Sequence, residues 1–434
     1  MIKNFNELIE NTTARYRGGR RDALAILDEV LERMNGYNLI KSHVKIFGDS
    51  LVIKGKRINL LPYKRIFLIG FGKASAAMAK GMEEIIAFDD GIIISPENVE
   101  LRRVKLYRGT HPYPSMENIK ATEKVIELLR RADEDDLVIL LISGGGSALL
   151  CKPRVPLESL KEVMSQLMKR GCTIEELNTV RKHLSYVKGG QLAKLTRAKI
   201  VSIIISDIIG NPVEFIASGP TSADSTTFHD ALRILKKYGV KNEEVMKVIK
   251  DGIKGKIEET PKNLDNVVNI VIADASLACK YAKEIAEEMG YHAKVLSVTL
   301  RGEAREMGRN LAEYAIYYPR HHTVLITGGE TTVNVKGKGK GGRNQEMVLA
   351  AIKKLANEAI VMLSCGTDGI DGNSPAAGAI ADGYSYKKAE EKELDIEKYL
   401  ENNDSYEFFN KMKDAIFTGY TGTNVMDIQI MVKL

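Results

Sequence analysis

The chain has 434 residues, enough for two or three domains, and its 44% hydrophobic content is sufficient for large cores. Sixty-three Lys and Arg against 57 Asp and Glu leave a formal charge of +6, which suits an enzyme of anionic substrates but is too small an excess to argue for nucleic acid. No apolar run reaches membrane-spanning length, no signal-type core stands near the start, and four scattered cysteines without a CxxC pair point to a reducing cytoplasm rather than to zinc or disulfides.

In chain order, an amphipathic helix is predicted near residues 21–35 (DALAILDEVLERMN). Apolar, strand-like runs follow, most ending in Gly, Ser or Asp and most leading into a helical stretch. They are RIFLIG, DGIIIS, DLVILLIS, AKIVSIIISD, NVVNIVIADA, HAKVLSVT, HTVLITGG and AIVMLSCG. Continuous apolar strands alternating with helices imply buried, mostly parallel sheet covered on both faces. The charged stretch 240–265 is the least patterned and is read as the domain boundary. The expected organisation is therefore an N-terminal, Rossmann-like domain over residues 1–250 and a smaller α/β domain over 265–434. The final GYTGTNVMDIQIMVKL reads as an edge strand, or as a segment that packs back on the first domain.

Ligands of open parallel sheets collect outside the carboxyl ends of the strands, so the residues just after each strand matter most. Gly144-Gly145-Gly146 lie between a buried strand and a predicted helix, flanked by Ser143 and Ser147. Three adjacent glycines are costly in backbone entropy. A tight turn is one explanation; a polyphosphate lying against bare N–H groups at a helix start is the favoured one. GFGKAS resembles the dinucleotide fingerprint only weakly, because Ser75 replaces the last glycine and the nearest downstream acid is Glu97, beyond a proline. Lys73 inside that turn suits a phosphate better. It is not a Walker loop, since Phe67 and Ala74 occupy two of its required positions. In GKGKGGRNQE, Lys338 and Lys340 read as solvated, whereas Arg343 at a helix start could clamp a phosphoryl group. Asp368 and Asp371 in GTDGIDG could hold a cation or a substrate hydroxyl, or could equally be an Asx-turn and a helix cap. Asp207, ending an apolar strand, is a stronger metal or base candidate. No histidine or cysteine takes a nucleophile's position.

The blocks GFGKAS, GTHPYP, LISGGGSALL, ELNTVRKHLSYVKGGQLAK, SDIIGNP, ASGPT, GGETTVNVKGKGKGGRNQE and GTDGIDG together resemble the two-domain glycerate kinases of the MOFRL type, in order and over nearly the whole chain. The resemblance implies two different three-layer α/β domains with the active site in the cleft between them. It also implies ATP-dependent phosphorylation of D-glycerate to 2-phosphoglycerate with Mg²⁺. It makes Lys73 and Arg343 the catalytic cations and Asp207 an active-site acid and metal ligand. Gly72, Ser143, Gly144, Gly145, Gly146, Ser147, Asn178 and Arg181 become nucleotide-binding, and Glu330, Asp368 and Asp371 substrate-binding. The expected partners are glycerate and ATP, with no nucleic acid and no membrane; a homo-oligomer is left open. Relatives have also been labelled hydroxypyruvate reductases, so an NAD(P)H-dependent reductase is the alternative, although no suitable histidine follows a strand.

Overall fold

The apolar runs become the strands Arg65–Phe71, Asp90–Ser95, Asp136–Ile142, Lys199–Ile205, Val267–Ala273, His292–Leu300, Thr323–Gly329 and Ile360–Gly366 in the computed structural model, which describes residues 1–434. The first five, with Lys105–Arg108, build one six-stranded sheet. Its order is Lys105–Arg108, Asp90–Ser95, Arg65–Phe71, Asp136–Ile142, Lys199–Ile205, Val267–Ala273. The four pairs from Lys105–Arg108 to Lys199–Ile205 are parallel. Asp136–Ile142 is buried at every position, as a strand covered on both faces must be. On one face, Phe67, Ile69 and Phe71 join Ile92, Ile94, Val138 and Leu140 under Val125, Leu128 and Leu129 of the helix Met116–Arg131. The chain runs outward from Arg65–Phe71 to one edge, then returns to place Asp136–Ile142 on its other side. The strand order therefore reverses between these two strands, and their carboxyl ends flank the topological switch point where open α/β sheets take ligands.

A small antiparallel sheet of Val44–Phe47, Ser50–Ile53 and Lys56–Asn59 precedes it. These four-residue strands have no long apolar run to announce them.

The second six-stranded sheet has the order His292–Leu300, Thr323–Gly329, Asp427–Lys433, Ile360–Gly366, Gly378–Asp382, Ala415–Ile416. Its first pair is parallel, but Asp427–Lys433 runs antiparallel to both neighbours. The expected edge strand is thus a central one, buried at all seven positions. The misreading has a physical source. Gln429 and Lys433 alternate with Ile428, Ile430 and Val432 as on a half-solvated strand, yet both polar groups are buried and satisfied. Gln429 Oε1 accepts from Thr327 at 2.7 Å, and Lys433 Nζ donates to the carbonyls of Ala315, Ile316 and Tyr318.

Two compact units result, residues 36–272 and residues 1–35 together with 273–434. The expected boundary at 240–265 is instead partly the helix Glu243–Ile253, whose Val245 and Ile249 pack with Leu167, Phe228 and Leu235. The first 35 residues, placed with the N-terminal domain from sequence, belong to the other unit. The helix Ala14–Met34 lies on Ile360–Gly366, Asp427–Lys433 and the helix Ala275–Glu288. Its apolar stripe shows that it is buried but not against which sheet. Arg20 settles that choice: fully buried, its Nε donates to Asp382 and its Nη1 to Asp414, each at 2.6 Å. Lys388 donates to the second oxygen of Asp414 at 3.0 Å, and Thr12 to Asp382 at 2.8 Å. No helix is long and apolar enough to cross a membrane.

Removing one member of a buried charge cluster strands the others. Arg20→Met is expected to lower the stability of the unit containing residues 273–434 by about 3–5 kcal/mol. Denaturant unfolding of the full chain, with the domain transitions resolved, measures this.

Candidate functional site

Two glycine turns meet at the switch point. After Arg65–Phe71, Gly72 adopts φ +128°, and a β-carbon there would lie 2.2 Å from Ser143 Oγ. The Lys73 amide donates to the Gly144 carbonyl at 2.9 Å, and the Ala74 amide to Ser143 Oγ at 3.0 Å. Gly145 has φ +81°, with Lys73 Cγ and the His111 ring 3.0–3.3 Å from where its β-carbon would be. A β-carbon on Gly146 would sit 2.7 Å from that of Ala217. Chain geometry and close packing thus require at least two of the three glycines. The helix that follows them is only the single turn Gly146–Leu149, so its dipole is slight; the Lys73 turn opens the longer helix Ser75–Glu83.

The ASGPT segment closes over this turn. Ala217 and Ser218 hold left-handed backbones, φ +52° and +63°, a strain that persists only where surroundings enforce it. Ser218 shares a hydrogen bond with Ser147 at 2.8 Å and donates to Asn178 Oδ1 at 2.9 Å, which also accepts from Arg181 at 3.3 Å. The structure therefore gathers the candidates Ser143, Gly144, Gly145, Gly146, Ser147, Asn178 and Arg181 with Gly72 and Lys73. Beneath them lies a residue the sequence reading passed over. Lys188, 1% exposed, donates to the carbonyls of Ser147 at 2.7 Å and Leu150 at 2.9 Å. Its signal was a lysine directly before two glycines in VKGG. Asp207 follows the adjacent strand Lys199–Ile205 and is half-buried.

The second gathering of candidates lies in the other unit. Register sets Asp427 opposite Gly329 on one side and Gly366 on the other. Arg343, first residue of the helix Arg343–Leu355, forks onto it, Nε to Oδ2 at 2.5 Å and Nη2 to Oδ1 at 3.0 Å. Its Nη1 donates to Glu330 at 2.6 Å. Burial opposes the guanidinium's charge, but Asp427 and Glu330 outweigh it and raise its pKa, so Arg343 stays charged. Asp427 was missed from sequence; an acid opening an alternating apolar run looks like a strand-end residue. Asp371 is 1% exposed, and its oxygens accept from the amides and side chains of Asn344 and Gln345 at 2.9–3.2 Å. It caps the helix that carries Arg343, and burial pushes its carboxyl up to about 6. Asp368 accepts from the Ile370 amide at 3.1 Å, an Asx-turn. No group of three or more His, Cys, Asp or Glu is assembled as a metal site.

The contact of Gly146 with Ala217 has a measurable cost. Gly146→Ala is expected to destabilise the unit of residues 36–272 by about 1–3 kcal/mol through overpacking, and adding Ala217→Gly should recover part of it. Urea titrations of the single and double variants test the coupling.

Residues 22–250 match a family described as a domain of unknown function, DUF4147, and residues 323–427 match the MOFRL family. The chain is 40% identical to glycerate 2-kinase of Pyrococcus horikoshii, over 95% of this chain and 97% of that protein. It is 39% identical to D-glycerate 2-kinase of Thermotoga maritima, covering 90% and 95%. A crystal structure of glycerate kinase from Thermotoga maritima superposes with a TM-score of 0.83 at 37% identity, covering 95% of this chain and 99% of that one. These similarities span both units, and with them the chain belongs to the glycerate 2-kinase family, built from a DUF4147 and a MOFRL domain.

Proposed function

We propose that this chain transfers the γ-phosphoryl group of ATP to the 2-hydroxyl of D-glycerate, giving 2-phosphoglycerate and ADP. The observation that supports it most is the pairing of two glycine turns at the switch point, with Lys73 in one and Arg181 and Lys188 beside the other. The bare glycine backbone of the two turns and the cations beside them suit a polyphosphate, and phosphoryl transfer needs positioning and positive charge more than a covalent group. The relatives' activity points the same way.

In this reading ATP lays its phosphates along Gly144, Gly145, Gly146 and Ser147. The bond between the β-bridging oxygen and the γ-phosphorus breaks, and the glycerate 2-oxygen forms the new bond. The hydroxyl proton passes to the carboxylate of Asp207. Lys73 and Arg343 are the cations assigned to the transferring group, and Glu330 and Asp368 are the acids assigned to the hydroxyls of glycerate. Arg343 is already held by two carboxylates. Asp427, with both oxygens on the fork, fixes its orientation, whereas Glu330, 45% exposed, is the partner a phosphate could replace. Mg²⁺ would supply charge neutralisation of the ATP phosphates, and Asp207 would be the carboxylate that helps to hold it.

Purified protein given ATP, Mg²⁺ and D-glycerate is expected to release ADP, with 2-phosphoglycerate seen by phosphorus NMR. Oxidation of NADH by hydroxypyruvate without any ADP release would instead establish the reductase. Lys73→Ala and Arg343→Ala are each expected to lower kcat by about 10³-fold with smaller changes in KM. Near-native turnover in either variant removes that residue from the mechanism.

A further inference from the structure

Most buried cations of this protein have a carboxylate. Arg20 has Asp382 and Asp414, Lys182 has Asp224 and Glu214, and Lys388 has Asp414. Lys188 and Arg181 form no ion pair. Lys188 donates only to carbonyls, and the hydrogen bond made by Arg181 goes to the neutral amide of Asn178. The groups facing Lys188 are Arg181, from the helix Ile174–His183, and the Cys151 thiol, just beyond the turn Gly146–Leu149. Burial pushes that thiol up, so it supplies no negative charge at neutral pH.

Lys433 shows what a purely structural lysine looks like here. It also bonds carbonyls, but those three lie at the end of the long helix Ala304–Tyr317, whose negative pole favours a cation. Lys188 caps a single turn, which offers little such compensation, and stands next to a second cation. A buried cation beside a second, half-buried one is costly unless an anion joins them or one gives up its proton.

We propose that Lys188 is the floor of the polyphosphate site and takes up a proton from solvent when the polyphosphate binds, its ammonium then completing the charge balance with Arg181 under Ser147. The inference rests on the assignment of the triphosphate to the Gly144–Ser147 turn. Desolvation lowers the Lys188 pKa to about 7, with Arg181 acting in the same direction, which places the titration in the neutral range. A bound polyanion restores the ordinary preference for the charged form.

The test is calorimetric titration of the full-length protein with a magnesium-saturated, non-hydrolysable ATP analogue at pH 7, in buffers of different ionisation enthalpy. Magnesium keeps the analogue's own phosphates ionised. Wild type is expected to take up about half a proton per nucleotide, as befits a group titrating near the working pH. Lys188→Met should abolish the uptake and weaken the analogue about tenfold, the loss typical of a charged donor. Binding by wild type without proton uptake overturns the inference, whether or not the variant folds. Equal uptake by wild type and Lys188→Met overturns it too. Failure of wild type to bind the analogue at all defeats the nucleotide assignment itself, and the inference falls with it.

Discussion

The buried guanidinium of Arg20 holds together a unit whose sequence is split. Residues 1–35 and 273–434 fold as one body although 237 residues of another unit lie between them. Helix Ala14–Met34 could bury its apolar stripe on many surfaces, because hydrophobic burial has no direction. Ion pairs with Asp382 and Asp414 do have direction, and in a dry interior they tolerate no substitute. The helix is therefore fixed across the strands Ile360–Gly366 and Asp427–Lys433. Asp427, the first residue of that second strand, is the carboxylate that holds Arg343.

Charge is handled in opposite ways in the two units. Around Arg343 the carboxylates outnumber the cation, so the guanidinium is oriented before any ligand arrives. Beneath the triple-glycine turn, Lys188 and Arg181 hydrogen-bond only neutral groups and have no carboxylate. In the reading proposed above, an anion at the glycine turn meets cations without carboxylates, whereas one that reaches Arg343 meets a preset but occupied fork. Release of Glu330 from the fork would then cost part of what the phosphate contributes, which favours ligands with enough charge to displace it.

Much of this was legible beforehand. Runs such as DLVILLI and DGIIIS are too apolar to be anything but buried strands, and the glycine turns after them mark the ligand end of a parallel sheet. What escaped depended on long-range pairing. The pattern at 427–433 carries no sign of strand direction or of which neighbours it joins, and its buried Gln429 and Lys433 imitate solvent-facing residues. The helix 14–34 shows a stripe but not its partner. For Asp371 the sequence left a ligand and a helix cap equally open, and the fold decides for the cap by spending its oxygens on a helix start. Lys188 is faint in sequence, marked only by its place before two glycines, because its importance lies in a carboxylate that is not there.

The antiparallel strand between Thr323–Gly329 and Ile360–Gly366 fills its sheet from the inside. Both flanking strands are synthesised well before it, and each then presents an inner row of unpaired amides and carbonyls on an apolar ribbon. Such rows are templates for any extended segment, including that of a neighbouring nascent chain. Residues 36–272 meet no such delay, because every strand of their sheet precedes residue 274. A cell making this protein would therefore have one finished unit and one half-zipped sheet for the time taken to translate residues 367–433. Chaperone demand and premature-termination damage would concentrate in that interval.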